Sequence, residues 1–327
     1  MSRKIRWGIL STAKHAQKAF IPAVRTTTNG EVAAICSRSQ EAAQAVANEH
    51  GIPKAHGSYE ALLNDPEIDA IYNPLPVALH AEWSIRCAEV GKPVLCEKPF
   101  TQTAAEAREV AAAFEKAGIP VAESLMWRFH PVAEKVQSLL AEGVIGELVI
   151  LRTTFNANVQ RAGNFRYEKS LGGGALLDLG CYTVSGLRAF ACEEPAQVAA
   201  VAQFDAATGV DESVTGLLRF PSGKVGYFGV SMATPFSSSY DLTGTQGRIR
   251  VDVGGFVTWP GTEFAIEVWG GSREDLEVIK APAANHYGLV AEDFAQALLD
   301  ERPPRYPISD AIANMTVLDQ LRACIEK

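Results

Sequence analysis

A lysine at the end of an apolar run, and an aspartate and a tyrosine four residues apart, are the side chains best suited to chemistry. Lys98 follows the run 94–97, and the spacing of Asp178 and Tyr182 puts both on one face of a helix. Oxidation of an alcohol needs a base for the hydroxyl proton while a hydride leaves the carbon. Tyrosine is such a base only if its pKa, about 10 in solution, is lowered, and a nearby lysine ammonium lowers it.

Both features have a structural alternative. No tyrosine of the sequence is followed four residues later by a lysine, so a pair such as Lys98 and Tyr182 must come from separate elements, meeting in a cleft between domains. Lys98 could instead be a surface lysine before a proline, although lysine is costly to bury without a purpose. Asp178 and Tyr182 could be a cap and a core residue of their helix, and spacing alone favours that interpretation over catalysis.

The end of the first predicted strand, 5–10, is similar to a dinucleotide-binding turn without its glycines. In a G-x-G-x-x-G turn, glycine allows the tight bend and the close approach of a pyrophosphate, and here Ser11, Ala13 and Ala16 hold those places. Because these residues are small, a backbone cradle at a helix N-terminus is still possible, and an ordinary strand–turn–helix is the alternative. The cofactor-binding residues predicted in this turn are Ser11, Thr12, Ala13, Lys14 and His15.

The choice of cofactor is made at the end of the second predicted strand, 30–36. An acidic residue there would accept the ribose 2′-hydroxyl of NAD and repel a 2′-phosphate, and none is present. Ser37 and Arg38 instead offer a hydroxyl and a guanidinium, which suit a phosphate ester. The sequence therefore predicts NADP, with a solvated arginine at a helix start as the alternative for Arg38.

The pattern of elements predicts two domains in a chain of 327 residues. Residues 1–123 alternate short apolar strands with helices, which is typical of a Rossmann doubly wound parallel sheet. Residues 124–327 are rich in strands separated by turn residues, which indicates an α+β domain with a large, mostly antiparallel sheet. Helices 174–190, 286–299 and 308–325 are expected to cover one face of that sheet.

Composition narrows the class of partner to small molecules. A net charge of −8 without a run of Lys or Arg argues against nucleic acid and against an anionic membrane surface. No segment approaches the roughly 20 apolar residues that span a bilayer, so neither secretion nor anchoring is expected. Six cysteines without Cys-x-x-Cys spacing favour a reducing cytoplasm, and six histidines without a metal-ligand spacing predict no metal.

These motifs together resemble the glucose-fructose oxidoreductase / inositol dehydrogenase (Gfo/Idh/MocA) family over essentially the whole chain. The resemblance is carried by Glu-Lys-Pro at 97–99 and by Gly-Gly-Gly-Ala-Leu-Leu-Asp-Leu-Gly-Cys-Tyr at 172–182. Within the family, the segments 73–76 and 80–83, with tyrosine instead of histidine at 182, are most similar to one branch. That branch contains the NADP-dependent aldose 1-dehydrogenases, such as D-xylose 1-dehydrogenase, and the dimeric dihydrodiol dehydrogenases.

The resemblance implies roles for individual residues, and it favours catalysis over the structural alternative for the helix. Asp178 would orient the substrate or the lysine, and Tyr182 would donate or remove the proton. For His80, helix capping or packing is the alternative to a cofactor contact. The implied catalytic residues are Lys98, Asp178 and Tyr182. The implied further cofactor contacts are Leu75, Pro76, His80, Glu97 and Lys98. The implied substrate contacts are Asp178 and Tyr182. Further candidate substrate contacts are Trp127, Arg128 and Phe129 at the start of the second domain, although an aromatic cluster at a domain junction is more often packing. Phe165 and Arg166 are candidates because they lie in a polar loop, and loops on rigid scaffolds carry specificity.

The expected activity is NADP-dependent oxidation of an aldose such as D-xylose or D-glucose at C1 to the lactone, or of a cyclic diol. Reduction of a keto-sugar or anhydro-sugar is one alternative, and a catalytically silent NADP-binding regulator is another. The presence of both Lys98 and Tyr182 favours an enzyme. We also expect a homodimer or homotetramer assembled through the C-terminal sheet, since an uncovered sheet face would expose an apolar patch.

Overall fold

The computed structural model describes residues 3–272 and 274–326, which form two compact units. The first unit comprises Met1–Met126 and Tyr287–Ile312, and the second comprises Trp127–His286 and Ala313–Lys327. The chain therefore leaves the first unit after Met126, returns to it at Tyr287 and leaves it again after Ile312, whereas the sequence predicts a single boundary between residues 123 and 124.

The regular elements have the following bounds. The strands are β1 (Ile5–Ile9), β2 (Gly30–Cys36), β3 (Lys54–His56), β4 (Ala70–Asn73), β5 (Val94–Glu97), β6 (Val121–Ser124), β7 (Leu148–Asn158), β8 (Gln197–Phe204), β9 (Asp211–Arg219), β10 (Val225–Ser231), β11 (Ala233–Gly244), β12 (Arg248–Val251), β13 (Phe264–Trp269) and β14 (Leu276–Ala281). The α-helices are α1 (Ile21–Val24), α2 (Gln40–His50), α3 (Tyr59–Leu63), α4 (His80–Glu89), α5 (Ala104–Ala117), α6 (Pro131–Ala141), α7 (Cys181–Ala191), α8 (His286–Leu299) and α9 (Ile308–Ile325). Two π-helical turns, Ala16–Phe20 and Leu176–Gly180, and short 3-10 turns at Val77–Leu79, Met126–Phe129, Phe165–Tyr167 and Lys169–Leu171 complete the set. Among the helices of the described residues, none has both the length and the apolar character needed to cross a bilayer.

The first unit is built on a six-stranded parallel sheet in the order β3-β2-β1-β4-β5-β6. This is the doubly wound order of dinucleotide-binding domains, so the predicted Rossmann fold is confirmed. Strands β4 and β5 are buried at every position, as expected when helices cover both faces of a parallel sheet. Ser58 caps α3, because its hydroxyl accepts the backbone N–H of Ala61 at 3.1 Å.

The second unit is built on an eight-stranded sheet in the order β14-β13-β12-β11-β7-β10-β9-β8. All neighbouring strands are antiparallel except β7 and β10, so the predicted mostly antiparallel sheet is confirmed. Side chains along β9 alternate between buried and exposed, which is the pattern of a sheet with one covered face. Helix α7 lies on the covered face, where Thr153 of β7 donates to the carbonyl of Thr183 at 3.3 Å.

Helix α8 differs from its predicted role as a cover for the antiparallel sheet. From Tyr287 onward it belongs to the first unit, where the buried ring of Phe294 lies 5.8 Å from that of Trp7 on β1. The side-chain amide of Asn29 also donates to the carbonyl of Glu292 at 2.9 Å. The prediction of a helix was right and its packing partner was wrong, because an amphipathic pattern does not say which sheet the apolar face will meet.

Candidate active site

The turn after β1 holds a serine in a backbone conformation that is typical of glycine. Ser11 has a φ of +73°, in the left-handed region that glycine normally supplies at this position. Its hydroxyl accepts the backbone N–H of Ala13 at 3.3 Å, and local hydrogen bonding of this kind helps a polar residue tolerate that conformation. Residues 11–13 are partly accessible, so the turn fits the pyrophosphate cradle that the sequence predicts.

The end of β2 presents the side chains expected to select a 2′-phosphate. Arg38 is exposed two residues beyond the strand end. The first acidic residue after the strand, Glu41, is occupied at the start of α2, where it accepts the hydroxyl of Ser39 at 2.7 Å. The end of β2 therefore offers the guanidinium of Arg38 and lacks the carboxylate that would favour NAD. This arrangement fits a ribose that carries a 2′-phosphate.

His80 joins the loops that follow β4 and β5. Its Nε2 lies 2.7 Å from the carbonyl oxygen of Leu75, and its Nδ1 lies 2.9 Å from that of Pro99. Burial lowers the pKa of His80, although the two carbonyls and Glu97 favour its protonated form. Both ring nitrogens face a carbonyl oxygen, an arrangement that a protonated ring satisfies with two donated hydrogen bonds and a neutral ring with one. The structure places His80 and Leu75 in the interior and leaves Pro76 partly accessible.

Glu97 is a buried carboxylate that stays ionised. The hydroxyl of Tyr72 donates to it at 2.7 Å, and Nε2 of His15 lies 3.5 Å away. Burial would raise the pKa of Glu97, but His15, the Tyr72 hydrogen bond and Lys98 outweigh it and lower that pKa to about 2. Glu97 thus connects the turn after β1 with the strand end that carries Lys98, which is partly exposed.

A π-helical turn shapes the helix that carries Asp178 and Tyr182. Asp178 lies within the π-helical turn Leu176–Gly180, and Tyr182 follows in the first turn of α7. The two side chains therefore do not share an uninterrupted α-helical face, and π-helical turns occur frequently at functional sites. Asp178 accepts a hydrogen bond from Nε of Arg166 at 2.7 Å. The structure thus pairs two residues that the sequence predicts separately as substrate contacts.

Aromatic side chains surround Tyr182, and sequence analysis missed most of them. The buried ring of Tyr182 lies 5.1 Å from Phe155 and 6.3 Å from Phe256. Phe155 in turn lies 6.1 Å from Phe236, which contacts Trp259 at 5.4 Å, and these last two rings are each 45% exposed. No spacing in the sequence connects these four rings with Tyr182, since they come from β7, β11 and the loop after β12.

The other predicted substrate contacts differ in burial and in the side chains that they contact. Trp127 and Phe129 are buried, and the ring of Trp127 packs 5.2 Å from that of Phe256. Arg128 and Phe165 are partly exposed. The guanidinium of Arg166 lies over the ring of Phe165 at 4.7 Å, in the range of a cation–π contact.

Comparison with known proteins identifies the family. Residues 5–124 match an oxidoreductase family described as an NAD-binding Rossmann fold, and residues 133–250 match the GFO/IDH/MocA C-terminal domain. The chain belongs to the GFO/IDH/MocA oxidoreductase family. The resemblance inferred from the motifs is thereby confirmed, and so is the prediction of an enzyme with a Rossmann domain for a nicotinamide nucleotide.

Relatives within the GFO/IDH/MocA family include dehydrogenases and a reductase. The chain is 36% identical over 316 residues to D-xylose 1-dehydrogenase (NADP(+)) 2 of Haloferax volcanii, covering 96% of this chain and 95% of the relative. It is also 36% identical over 338 aligned positions to trans-1,2-dihydrobenzene-1,2-diol dehydrogenase of Bos taurus, covering 98% and 97%. Among solved structures, KijD10, a 3-ketoreductase from Actinomadura kijaniata in complex with NADP and TDP-benzene, matches with a TM-score of 0.93. That match has 29% identity and covers 99% of this chain and 98% of KijD10.

Proposed function

We propose that this protein oxidises an aldose such as D-xylose or D-glucose at C1 to the lactone, with NADP+ as the hydride acceptor. The observation that carries this proposal is the hydrogen bond between Arg166 and Asp178, which lies four residues before Tyr182 in the chain. This pair would supply hydrogen-bonding groups for the substrate, and Tyr182 would donate or accept the proton. An aldose presents several hydroxyl groups for such a pair and needs a proton removed at C1. The D-xylose dehydrogenase relative supports this substrate class.

NADP is the proposed cofactor, and the first unit supplies the residues that would hold it. The turn 11–15 would receive the pyrophosphate, Ser37 and Arg38 the 2′-phosphate, and Lys98 the nicotinamide ribose. When bound, NADP+ accepts a hydride and NADPH donates one. The left-handed Ser11 and the exposed Arg38 support this assignment, as do NADP in the name of the D-xylose dehydrogenase relative and in the KijD10 complex.

Proton transfer is assigned to Tyr182 with Lys98 as its electrostatic partner. In oxidation the hydroxyl proton of the substrate passes to the Tyr182 oxygen as the C–H bond breaks, and in reduction the proton moves in the opposite direction. The positive charge of Lys98 would favour the deprotonated form of a tyrosine that approaches it. Asp178 would accept a substrate hydroxyl while Arg166 holds the carboxylate in one orientation.

A cyclic dihydrodiol is the second candidate substrate. The observation that favours it is the aromatic group Phe155, Phe256, Phe236 and Trp259, since the apolar face of a ring packs well on aromatic side chains. The dihydrodiol dehydrogenase relative supports the same class. Reduction of a keto-sugar or anhydro-sugar is the remaining enzymatic alternative, supported by the relative dTDP-3,4-didehydro-2,6-dideoxy-alpha-D-glucose 3-reductase.

A substrate screen tests the proposal. Aldoses and cyclic dihydrodiols are offered with NADP+, and keto-sugars, anhydro-sugars and dicarbonyls with NADPH, while the absorbance of the reduced cofactor is followed. We expect lactone formation from an aldose. Turnover of dihydrodiols alone would replace the first candidate by the second, and turnover only with NADPH would assign a reductase. Tight NADP binding without turnover of any compound would instead indicate a regulator.

A homodimer or homotetramer formed through the C-terminal sheet also belongs to the proposal. Val201 and Leu217 are 71% and 52% exposed on the uncovered face of the sheet. Leu217 lies beside Tyr227, which is also exposed, and Tyr227 lies beside Arg152 on the next strand. Apolar rows of this kind support an interface. The six cysteines are free thiols, which supports a reducing compartment such as the cytoplasm.

A further inference from the structure

Two adjacent carboxylates at the start of β9 contact the two elements that carry Asp178 and Arg166. Asp211 accepts the backbone N–H of Leu176 through Oδ2 at 2.6 Å. Leu176 is the first residue of the π-helical turn that contains Asp178 and continues into the helix of Tyr182. The carboxylate therefore binds an N–H group that the start of a helix leaves without an intrahelical partner.

Gly174 leaves the space that this carboxylate occupies. It has a φ of +128°, in the region that L side chains rarely adopt, and a Cβ at this position would overlap Oδ1 of Asp211. Gly174, the last glycine of the Gly-Gly-Gly run, thus leaves room for the contact between β9 and the π-helical turn. Substitution of Gly174 and substitution of Asp211 perturb the same contact from opposite sides, which makes the contact testable.

Glu212 holds the loop that carries Arg166. Its Oε1 accepts the hydroxyl of Tyr167 at 3.2 Å and pairs with the guanidinium of Arg161 at 2.5 Å. The same guanidinium lies 3.2 Å from Oδ2 of Asp205, and both carboxylates are buried. Tyr167 directly follows Arg166, the residue whose Nε binds Asp178. One end of β9 therefore anchors the helix through Asp211 and the loop through Glu212.

We propose that Asp211 and Glu212 are positioning residues of the hydride-transfer reaction. Asp211 fixes the π-helical turn, Glu212 fixes the loop, and together they keep Asp178, Arg166 and Tyr182 in one arrangement toward the substrate. The roles of those three residues are the proposed function above, and this inference depends on them. Each carboxylate binds a protein donor: Asp211 accepts the N–H of Leu176, and Glu212 accepts the hydroxyl of Tyr167.

Steady-state kinetics of four variants tests the role of Asp211. Asp211→Ala removes the acceptor, Asp211→Asn keeps a carbonyl oxygen at the same place, and Gly174→Ala pushes the carboxylate away. Gly223→Ala is the matched control, since Gly223 also has a positive φ, +93°, but its Cβ would meet open space. We expect kcat to fall about 10–100-fold in Asp211→Ala and Gly174→Ala, as displaced reacting groups do. Asp211→Asn should retain kcat within about threefold, because the acceptor oxygen is kept.

Two further readouts separate positioning from a general loss of stability. The dissociation constant of NADPH should change less than about twofold in every variant, because the cofactor residues lie in the other unit. In the double variant with Asp211→Ala and Gly174→Ala, the fold-loss of kcat should be smaller than the product of the two single fold-losses, because both changes remove the same contact. Wild-type kcat in Asp211→Ala, or equal kcat losses in Gly174→Ala and Gly223→Ala, would overturn the role of Asp211.

Glu212→Gln tests the loop anchor in the same assay. Loss of the charge opposite Arg161 loosens the loop of Arg166, so KM for the substrate should rise about 3–10-fold with a smaller effect on kcat, as expected when ground-state binding is lost. An unchanged KM would contradict this part of the proposal.

Amide hydrogen exchange separates a failure of this inference from a failure of the proposed function. The Leu176 amide should lose protection in Asp211→Ala and Gly174→Ala, and keep it in Gly223→Ala. This readout needs no turnover. If no sugar or diol reacts but the Leu176 amide loses protection as stated, the proposed function fails and the anchoring by Asp211 stands. Unchanged protection in Asp211→Ala refutes the anchoring itself.

Discussion

The buried carboxylate of Glu97 gives the sharpest prediction for the first unit. Glu97→Gln keeps the size of the side chain and an oxygen for the Tyr72 hydroxyl, but it removes the charge near His15 and Lys98. The pKa of Glu97 falls from 4.5 to about 2 in the folded protein. A difference of about 2.5 units corresponds to about 3 kcal/mol at 1.36 kcal/mol per unit. We expect Glu97→Gln to lower the free energy of unfolding at pH 7 by about that amount.

The pH dependence of this effect has a definite sign. Because the folded-state pKa of Glu97 is lowered, its stabilisation is complete above about pH 4.5 and is lost as the pH falls from there through about 2. Urea unfolding should therefore give a clear difference between wild type and Glu97→Gln at pH 5, and that difference should shrink as the pH falls toward 2. Glu109→Gln on the exposed face of α5 is the control and should change stability by less than about 0.5 kcal/mol. Equal urea midpoints for wild type and Glu97→Gln at pH 7 would refute the reasoning.

Three further predictions concern other parts of the chain. Arg38→Asp should weaken NADP binding at least about tenfold and affect NAD much less, because a phosphate contact becomes a repulsion; fluorescence titration with both cofactors measures this, and unchanged NADP affinity contradicts it. His80→Ala should lower the free energy of unfolding by about 2–4 kcal/mol, through a lost buried hydrogen bond and a cavity, and a wild-type urea midpoint would show that the bridge between Leu75 and Pro99 is unimportant. Burial raises the pKa of Asp211 to about 6, with Leu176 and Arg322 opposing and Glu326 reinforcing the shift. The free energy of unfolding should therefore fall by up to about 3 kcal/mol as the pH rises from about 4 to about 6, and Asp211→Asn should lack this fall.

Local patterns predict much of the fold. The apolar runs of the first half correspond to β1, β2, β4, β5 and β6, and the alternating strands of the second half to seven strands of the larger sheet. Two strands escaped prediction for physical reasons. β3 has three residues, too few for a pattern. In β14 the adjacent apolar residues Val278 and Ile279 interrupt the alternation that marks its neighbours.

Some features of the candidate site could be predicted from the sequence, and others could not. Lys98 was placed correctly after a buried strand because the run before it is apolar, and strand ends of a parallel sheet are recognisable from local sequence. The π-helical turn around Asp178 was missed, since its spacing suits an ordinary helix equally well. The hydrogen bond between Asp211 and Leu176 joins residues 35 positions apart, and only the folded sheet brings them together.

The measurement that tests the central claim most directly is the turnover of Tyr182→Phe with NADP+ and a substrate identified in the screen. This change removes only the hydroxyl, so folding and NADP affinity should survive. Turnover should fall about 10²–10⁴-fold, the usual contribution of general acid–base catalysis. Near wild-type turnover in Tyr182→Phe, with NADP still bound, would contradict the assignment of proton transfer to this residue and with it the proposed mechanism.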